Sequence, residues 1–286
     1  MARDSVLPPG TLLGLQSRYR LGGLLGRGGM GCVYDALDQK LDRDLAIKVL
    51  HQAADQKSLQ RLYREARAAQ LTEHDAVVQT YDCDADAGGR GFIVMERLHG
   101  EDLGKRLERG PLTPAEVLQI GLQLADVLRA AHDKKVIHRD LKPANVFLRA
   151  RADENLLIKL LDFGIAKLTD WSALTTEGKA RGTPEYMAPE YMANPRALDP
   201  RVDLYSLGVV LYEAASCKLP YGRHSVLELL MRHKHQSVLD IRQVSLGLPE
   251  ALAAAIMRCL EPDPEQRFSD AECVYQALLR IAPRLS

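Results

Sequence analysis

The 286-residue sequence has no Cys-x-x-Cys pair: Cys32, Cys83, Cys217, Cys259 and Cys273 stand singly and their number is odd. That excludes a disulfide framework and a cysteine zinc site, and it suits a reducing cytoplasm. Charge of one sign is not in excess either, with 38 Lys and Arg against 38 Asp and Glu, so capture of nucleic acid by bulk charge is disfavoured. No run approaches the ~18 consecutive apolar residues that a membrane span needs. The N-terminus reaches only Val6 and Leu7 before Pro8-Pro9-Gly10, too short an apolar segment for a secretory leader. No internal repeat or low-complexity tract is present. The absence of Gly-x-x-x-x-Gly-Lys-Ser/Thr excludes a Walker-type ATPase. What is there is an ordinary globular composition, 46% hydrophobic and 27% charged, long enough for two domains or lobes.

Residues 1–18 read as a loose lead-in. From Tyr19 short extended runs follow, Tyr19 to Gly26, Cys32 to Leu37 and Leu45 to Leu50, separated by glycines or by Asp42-Arg43-Asp44. Leu59, Leu62, Tyr63, Ala66 and Ala69-Gln70 recur at helical spacing. Two more extended runs, Val77 to Tyr81 and Phe92 to Glu96, complete a first lobe of five strands and one helix. After Gly100 the pattern turns helical, with capping boxes expected at Thr113 to Glu116 and at Ser269 to Glu272, and with residues 205–216 apolar nearly all round. One hairpin interrupts the helices, Val146 to Leu148 and Leu156 to Leu161. The class is α+β.

Gly26-Arg27-Gly28-Gly29-Met30-Gly31 matches Gly-x-Gly-x-x-Gly. A dinucleotide fold needs a helix after the last glycine, whereas Cys32 to Leu37 is extended, so the context favours a glycine-rich hairpin loop whose backbone N–H groups can approach phosphate. A plain hairpin turn remains open on this motif alone. Lys48 is a single cation in the apolar run Leu45-Ala46-Ile47-Lys48, and Glu65 shares a helix face with Leu62 and Ala69. Pairing would hold the ammonium where it meets phosphate charge. The hairpin places His138, Arg139, Asp140, Lys142 and Asn145, ahead of its first strand, beside Asp162 after its second.

His138-Arg139-Asp140-Leu141-Lys142-Pro143-Ala144-Asn145, Asp162-Phe163-Gly164 and Ala188-Pro189-Glu190 follow the glycine loop and Lys48 in order. Together they resemble the eukaryotic-type (Hanks-type) protein serine/threonine kinases. Leu25 to Tyr34, Arg64-Glu65-Ala66-Arg67 and Tyr205 to Val209 look most like the bacterial branch. The resemblance implies a bilobal kinase-like fold: a flexible lead-in over 1–18, a small antiparallel β lobe with one helix over 19–97, and a larger, mainly helical lobe over 98–286. The single kinase domain spans about 19–283.

The function implied is transfer of the γ-phosphoryl group of ATP, with Mg2+, to Ser/Thr hydroxyls of protein substrates. Asp140 orients or accepts the hydroxyl proton, Lys142 neutralises the transferred group, and Asn145 and Asp162 hold the metal. Lys48, held by Glu65, binds the other phosphates. Leu25, Gly26, Gly28, Gly31, Val33, Ala46, Met95 and Phe147 surround the nucleotide, with backbone groups of Glu96 and Leu98 in the hinge. Thr183 contacts Asp140. Autophosphorylation is expected at Thr175 or Thr176, in the loop that also carries Thr169 and Ser172, with Arg139 as the phosphate's partner. Asp203 braces the catalytic loop, and Glu190 pairs with Arg267.

Ala69 and Thr80 are smaller or more polar than the family pattern. The Glu65 helix is therefore expected to swing outward easily, and activity to depend on loop phosphorylation or on an activating partner or dimer. Many bacterial relatives carry a membrane span, and this chain is expected either to be a free cytoplasmic kinase or to be a fragment. Three rivals are a pseudokinase scaffold, a kinase-like small-molecule phosphotransferase and a dinucleotide-binding oxidoreductase. Asp82, Asp84 and Asp86 read as a solvated hairpin tip, not a calcium loop, because Ile93 stands where a Glu is required. His224, His233 and His235 read as a solvated face, since the neighbouring Arg223, Arg232 and Lys234 repel cations.

Overall fold

Period-two alternation drives the first part of the chain into strands. The computed structural model describes residues 6–28, 31–51, 56–86, 88–149, 156–163, 183–196 and 199–284. Gly29, Met30, Gly164, Thr169, Ser172, Thr175, Thr176 and Gly182 lie outside the described residues. The chain divides into two compact units, Met1–Gln70 with Val78–His99, and Leu71–Val77 with Gly100–Ser286.

The first unit holds β1 (Leu12–Leu13), β2 (Tyr19–Arg27), β3 (Gly31–Asp38), β4 (Arg43–Leu50), β5 (Thr80–Ala85) and β6 (Gly91–Glu96). They form one antiparallel sheet in the order β1-β2-β3-β4-β6-β5. Helix α1 spans Gln56–Thr72. On one face Tyr19, Leu21, Tyr34, Leu45, Ile47, Val49, Phe92 and Val94 make the core. On the other, Ile93 packs with Leu62 and Ala66 of α1.

The stretch before Tyr19 is tied down from Val6 on rather than loose. Val6 and Leu7 pack on the sheet core, the Leu7 N–H donates to the Tyr34 hydroxyl at 2.9 Å, and Leu13 is buried. The apolar face of β2 and β3 otherwise meets water, which is the driving force for this cover. The fifth strand runs over Thr80–Ala85, not Val77 to Tyr81. Asp82 and Asp84 therefore sit in an edge strand, where charge is tolerated, and Asp82 accepts the Tyr19 hydroxyl at 2.8 Å. Of the three aspartates only Asp86 shapes the turn, accepting the N–H groups of Gly88 and Arg90, each at 2.8 Å.

The second unit carries the sheet β7 (Gly100–Asp102), β8 (Val146–Arg149) and β9 (Leu157–Leu160). Among its described residues the helices are α2 (Leu103–Leu107), α3 (Pro114–Asp133), α4 (Pro189–Ala193), α5 (Arg201–Ser216), α6 (Val226–His235), α7 (Glu250–Cys259) and α8 (Ala271–Leu279). Thr113 and Glu116 close the expected capping box on α3, and Ser225 with Glu228 make another on α6. The cap of α8 is Asp270 rather than Ser269, because the Asp270 carboxylate takes the Cys273 N–H at 2.7 Å. Helix α5 is buried on nearly every side. A Cβ on Gly208 would come within 2.7 Å of the Cys259 side chain, so glycine is what lets α5 and α7 approach.

His233 departs from the solvated face expected of it. It is buried, and its Nδ1–H donates to the Leu229 carbonyl at 2.6 Å while its Nε2 accepts the Tyr205 hydroxyl at 2.6 Å. Burial, with Arg267 nearby, holds the ring below the usual histidine range. His138, wholly buried, is lowered for the same first reason. The unfolded chain then takes up protons near the ordinary value of 6.5 while the folded chain still refuses them. Stability is therefore full above that pH and falls as pH drops toward the lower folded values. His233→Gln is expected to flatten the decline of the urea midpoint between about pH 7 and pH 5; an unchanged slope would count against a neutral His233.

Candidate active site

In the first unit the register decides which side chains share a face. Val33 pairs with Lys48 and Lys48 with Ile93, while Ala46 pairs with Met95. Val33, Ala46, Lys48, Ile93 and Met95 therefore point to one side of the sheet, the side α1 covers. Lys48 Nζ donates to Glu65 Oε1 at 2.9 Å, and each side chain is 9% exposed. A buried pair of this kind costs about 3–5 kcal/mol to break from one side, because the remaining charge is left buried.

Gly26 lies in β2, paired with Val33, and the Gly28 N–H donates to the Gly31 carbonyl at 2.9 Å, closing the glycine turn. Gly31 admits no side chain: an added Cβ would lie 2.2 Å from the Val49 carbonyl oxygen. Leu25 sits at the exposed end of β2. At the end of β6, the Glu96 N–H and carboxylate both bond to the Gln79 backbone, at 2.9 and 2.8 Å. The Leu98 carbonyl accepts the Arg97 guanidinium at 2.5 Å. The Glu96 N–H and the Leu98 carbonyl are thus engaged within the chain.

In the second unit the hairpin β8–β9 brings its polar ends together as the sequence suggests. The Leu161 N–H donates to the Asn145 carbonyl at 2.8 Å, and a His138 ring nitrogen bonds the Leu161 carbonyl at 3.1 Å. Asp162 therefore follows directly on a segment bonded to Asn145 and His138. Lys142 Nζ lies 3.3 and 3.2 Å from the two Asp140 carboxylate oxygens. Asn145 Nδ2 donates to the Asp140 carbonyl at 2.7 Å and to its carboxylate at 3.2 Å. Only the amide nitrogen can donate there, so the Asn145 oxygen faces elsewhere.

Arg139 and Asp162 both adopt the left-handed backbone region, with φ of 63° and 40°, a conformation costing of order 1–3 kcal/mol each for such residues. Asp203 at the start of α5 holds the first of them. One of its oxygens accepts the Arg139 N–H and the other the His138 N–H, both at 2.8 Å, and the second also bonds His132 at 2.8 Å. Burial works to raise the Asp203 carboxyl, but the hydrogen bonds from His132 and the Arg139 backbone outweigh it and hold it below the usual carboxylate range.

Phe147 is half-buried in β8. Thr183 precedes the turn Pro184–Tyr186 and, with Lys142, Tyr186, Glu213 and Arg223, lines an open depression of about 590 Å³. No hydrogen bond from its side chain caps that turn. Tyr186 donates to Glu213 at 2.5 Å. Arg267 grips Glu190 with a two-pronged contact at 2.6 and 2.7 Å, and its other N–H groups reach the carbonyls of Glu261, Arg201 and Pro262.

Two members of these networks escaped the sequence reading. His132 lies at the end of α3, on a helix whose pattern is explained by its apolar stripe, and nothing local marks it as a partner of Asp203. Glu213 is a carboxylate among the apolar residues of α5, a signal that was available, since a charge among apolar neighbours demands a partner.

A family profile described as the protein kinase domain matches residues 19–279. The serine/threonine-protein kinase pkn3 of Myxococcus xanthus is 38% identical over 264 residues, covering 89% of this chain and 48% of its own length. The serine/threonine-protein kinase PknB of Mycobacterium leprae is 34% identical over 274 residues, covering 93% of this chain and 43% of its own. This chain thus spans less than half the length of these curated relatives. Among solved structures, the kinase domain of Mycobacterium tuberculosis PknI superposes with a TM-score of 0.72 at 25% identity, covering 96% of this chain and 99% of that one. Among the described residues no helix is long and apolar enough to cross a membrane. With the ordered motifs, the α+β architecture and these matches agreeing, the chain belongs to the protein kinase domain family.

Proposed function

We propose that this chain transfers the γ-phosphoryl group of ATP to serine and threonine hydroxyls of protein substrates, its own 164–182 segment among them. The observation that carries the reading is the bracketed Asp140 carboxylate, with Lys142 Nζ at 3.2 Å and Asn145 Nδ2 at 3.2 Å, beside the Leu161–Asn145 bond that leads into Asp162. The family implies ATP and a divalent metal, commonly Mg2+. The donor set fits: the Asn145 amide is fixed with its nitrogen on Asp140, leaving its oxygen as a hard ligand, and Asp162 adds a carboxylate of the kind magnesium takes. A bound metal supplies charge neutralisation on the phosphates.

In this reading Asp140 receives or orients the acceptor's proton and Lys142, already held against it, offsets negative charge on the transferred group. Lys48, oriented by Glu65, binds phosphate. Thr183, lining the depression with Lys142, helps place the acceptor. Val33, Ala46 and Met95 supply the apolar wall for adenine, with Phe147, Leu25, Gly26 and the hinge at Glu96 and Leu98 completing the nucleotide site. Regulation by loop phosphorylation, or by a partner or dimer, belongs to the proposal. It rests on the small Ala69 and the polar Thr80, both half-buried. A cytoplasmic setting is supported by five free cysteines, two of them buried.

The test is intact-protein and peptide mass spectrometry after incubation with Mg-ATP and a protein acceptor. Phosphate is expected on serine or threonine, including Thr175 or Thr176, and chelation of the metal is expected to abolish it. Nucleotide binding without label on any protein would return the scaffold reading.

A further inference from the structure

Resting on the reading of the glycine turn as the phosphate-binding loop, we propose that His51 is a positioning residue for it, tethering the Gly28 carbonyl to the end of β4. His51 follows Leu50, the last residue of that strand, and its Nε2 lies 2.9 Å from the Gly28 carbonyl oxygen. A carbonyl only accepts, so Nε2 carries the hydrogen, in the neutral ring or the charged one. The same short turn is closed from within by the Gly28 N–H on the Gly31 carbonyl at 2.9 Å. Gly31 is pressed on β4 so closely that a Cβ would meet the Val49 oxygen at 2.2 Å. Gly31 and Gly28 are thus both referred to β4, the strand that also bears Lys48, one by backbone contact and the other by the imidazole.

The physical need for the tether comes from the glycines. Glycine frees a backbone to approach phosphate, and for the same reason a glycine such as Gly28 loses more conformational freedom than other residues when it is fixed in one geometry. A phosphate-binding loop must present N–H groups and keep its carbonyl oxygens, which phosphate repels, turned away. An imidazole donor on the Gly28 oxygen selects conformers in which that oxygen is engaged by protein. Apparent nucleotide affinity scales with the fraction of loop in the competent state. The tether therefore acts on binding and leaves the transfer step, which belongs to the other unit's residues, alone.

The experiment compares wild type, His51→Ala and His51→Gln by direct titration with Mg-ATP, by steady-state kinetics, and by amide hydrogen exchange at Gly28 without nucleotide. His51→Ala is expected to raise both the dissociation constant and KM for ATP about three- to tenfold, with kcat changed by less than about twofold, and to speed exchange at Gly28. Glutamine, which can present an N–H near the Nε2 position, is expected to restore wild-type behaviour. An Ala variant with unchanged nucleotide affinity overturns the proposal, even if exchange quickens, because the tether is then structural only. So does a variant that loses kcat while its KM stays constant. A wild-type protein that binds no Mg-ATP overturns the reading of the loop itself, and that result is visible before any variant is compared.

Discussion

Asp140→Asn is expected to lower kcat for phosphoryl transfer by about 10²- to 10⁴-fold, the range a positioned general base contributes. The substitution is nearly isosteric and keeps one oxygen for Lys142, so the loop is expected to hold its shape and the urea midpoint to move by the equivalent of less than about 1 kcal/mol. KM for ATP should stay near wild type, because Asp140 is assigned to the acceptor hydroxyl and not to the nucleotide. The contrast is with Lys48→Ala, which is expected to lower nucleotide affinity too, since it removes the Glu65-held cation assigned to the phosphates. Saturating Mg-ATP kinetics with a fixed protein acceptor make the measurement. Transfer by the Asn variant within about threefold of wild type would remove Asp140 from the chemistry.

Asp203→Ala is expected to be the most destabilising single change in the second unit. The carboxylate is wholly buried and collects the N–H groups of His138 and Arg139 and the ring of His132. Its loss takes the acceptor from one buried and one part-buried backbone donor, each costing about 1–3 kcal/mol, and from the His132 ring beside them. A total of roughly 3–5 kcal/mol is a large part of the 5–15 kcal/mol that stabilises a typical domain. Arg139 also loses what holds its left-handed backbone, so residual activity should fall even in molecules that remain folded. Chemical denaturation followed by circular dichroism checks the first effect. Activity per folded molecule, at a temperature well below the transition, checks the second. A midpoint shift under about 1 kcal/mol would mean that water or another group replaces the carboxylate.

The elements that were legible in the sequence are those whose pattern is local. The α3 box at Thr113 and Glu116, the buried α5 and the β8–β9 hairpin follow from spacing within a few turns or a single loop. The hairpin in turn brings Leu161, the residue before Asp162, into a bond with Asn145, because closing a hairpin is a local event with a consequence at both its ends. Apart from the α8 cap, which moves one residue from Ser269 to Asp270, the failures are long-range. Val77 looked like a strand residue and is one only as an isolated parallel bridge to Leu160, whereas the true edge strand hides behind its aspartates. His233 is buried by Tyr205, 28 residues away, and no helical periodicity reports that. The lead-in from Val6 on is tied to Tyr34, whose hydroxyl takes the Leu7 N–H, a partner that sequence alone cannot assign.

The grip of Arg267 on Glu190 has a chemical corollary. Its side chain is wholly buried, and all three guanidinium nitrogens are committed, to two carboxylate oxygens and three carbonyls. Lysine could restore the cation but only as a point donor with three protons, and it would strand part of that ring of acceptors. A conservative exchange of base for base is therefore closed at this position, and the joint between Glu190 and the C-terminal helices either holds in full or is lost.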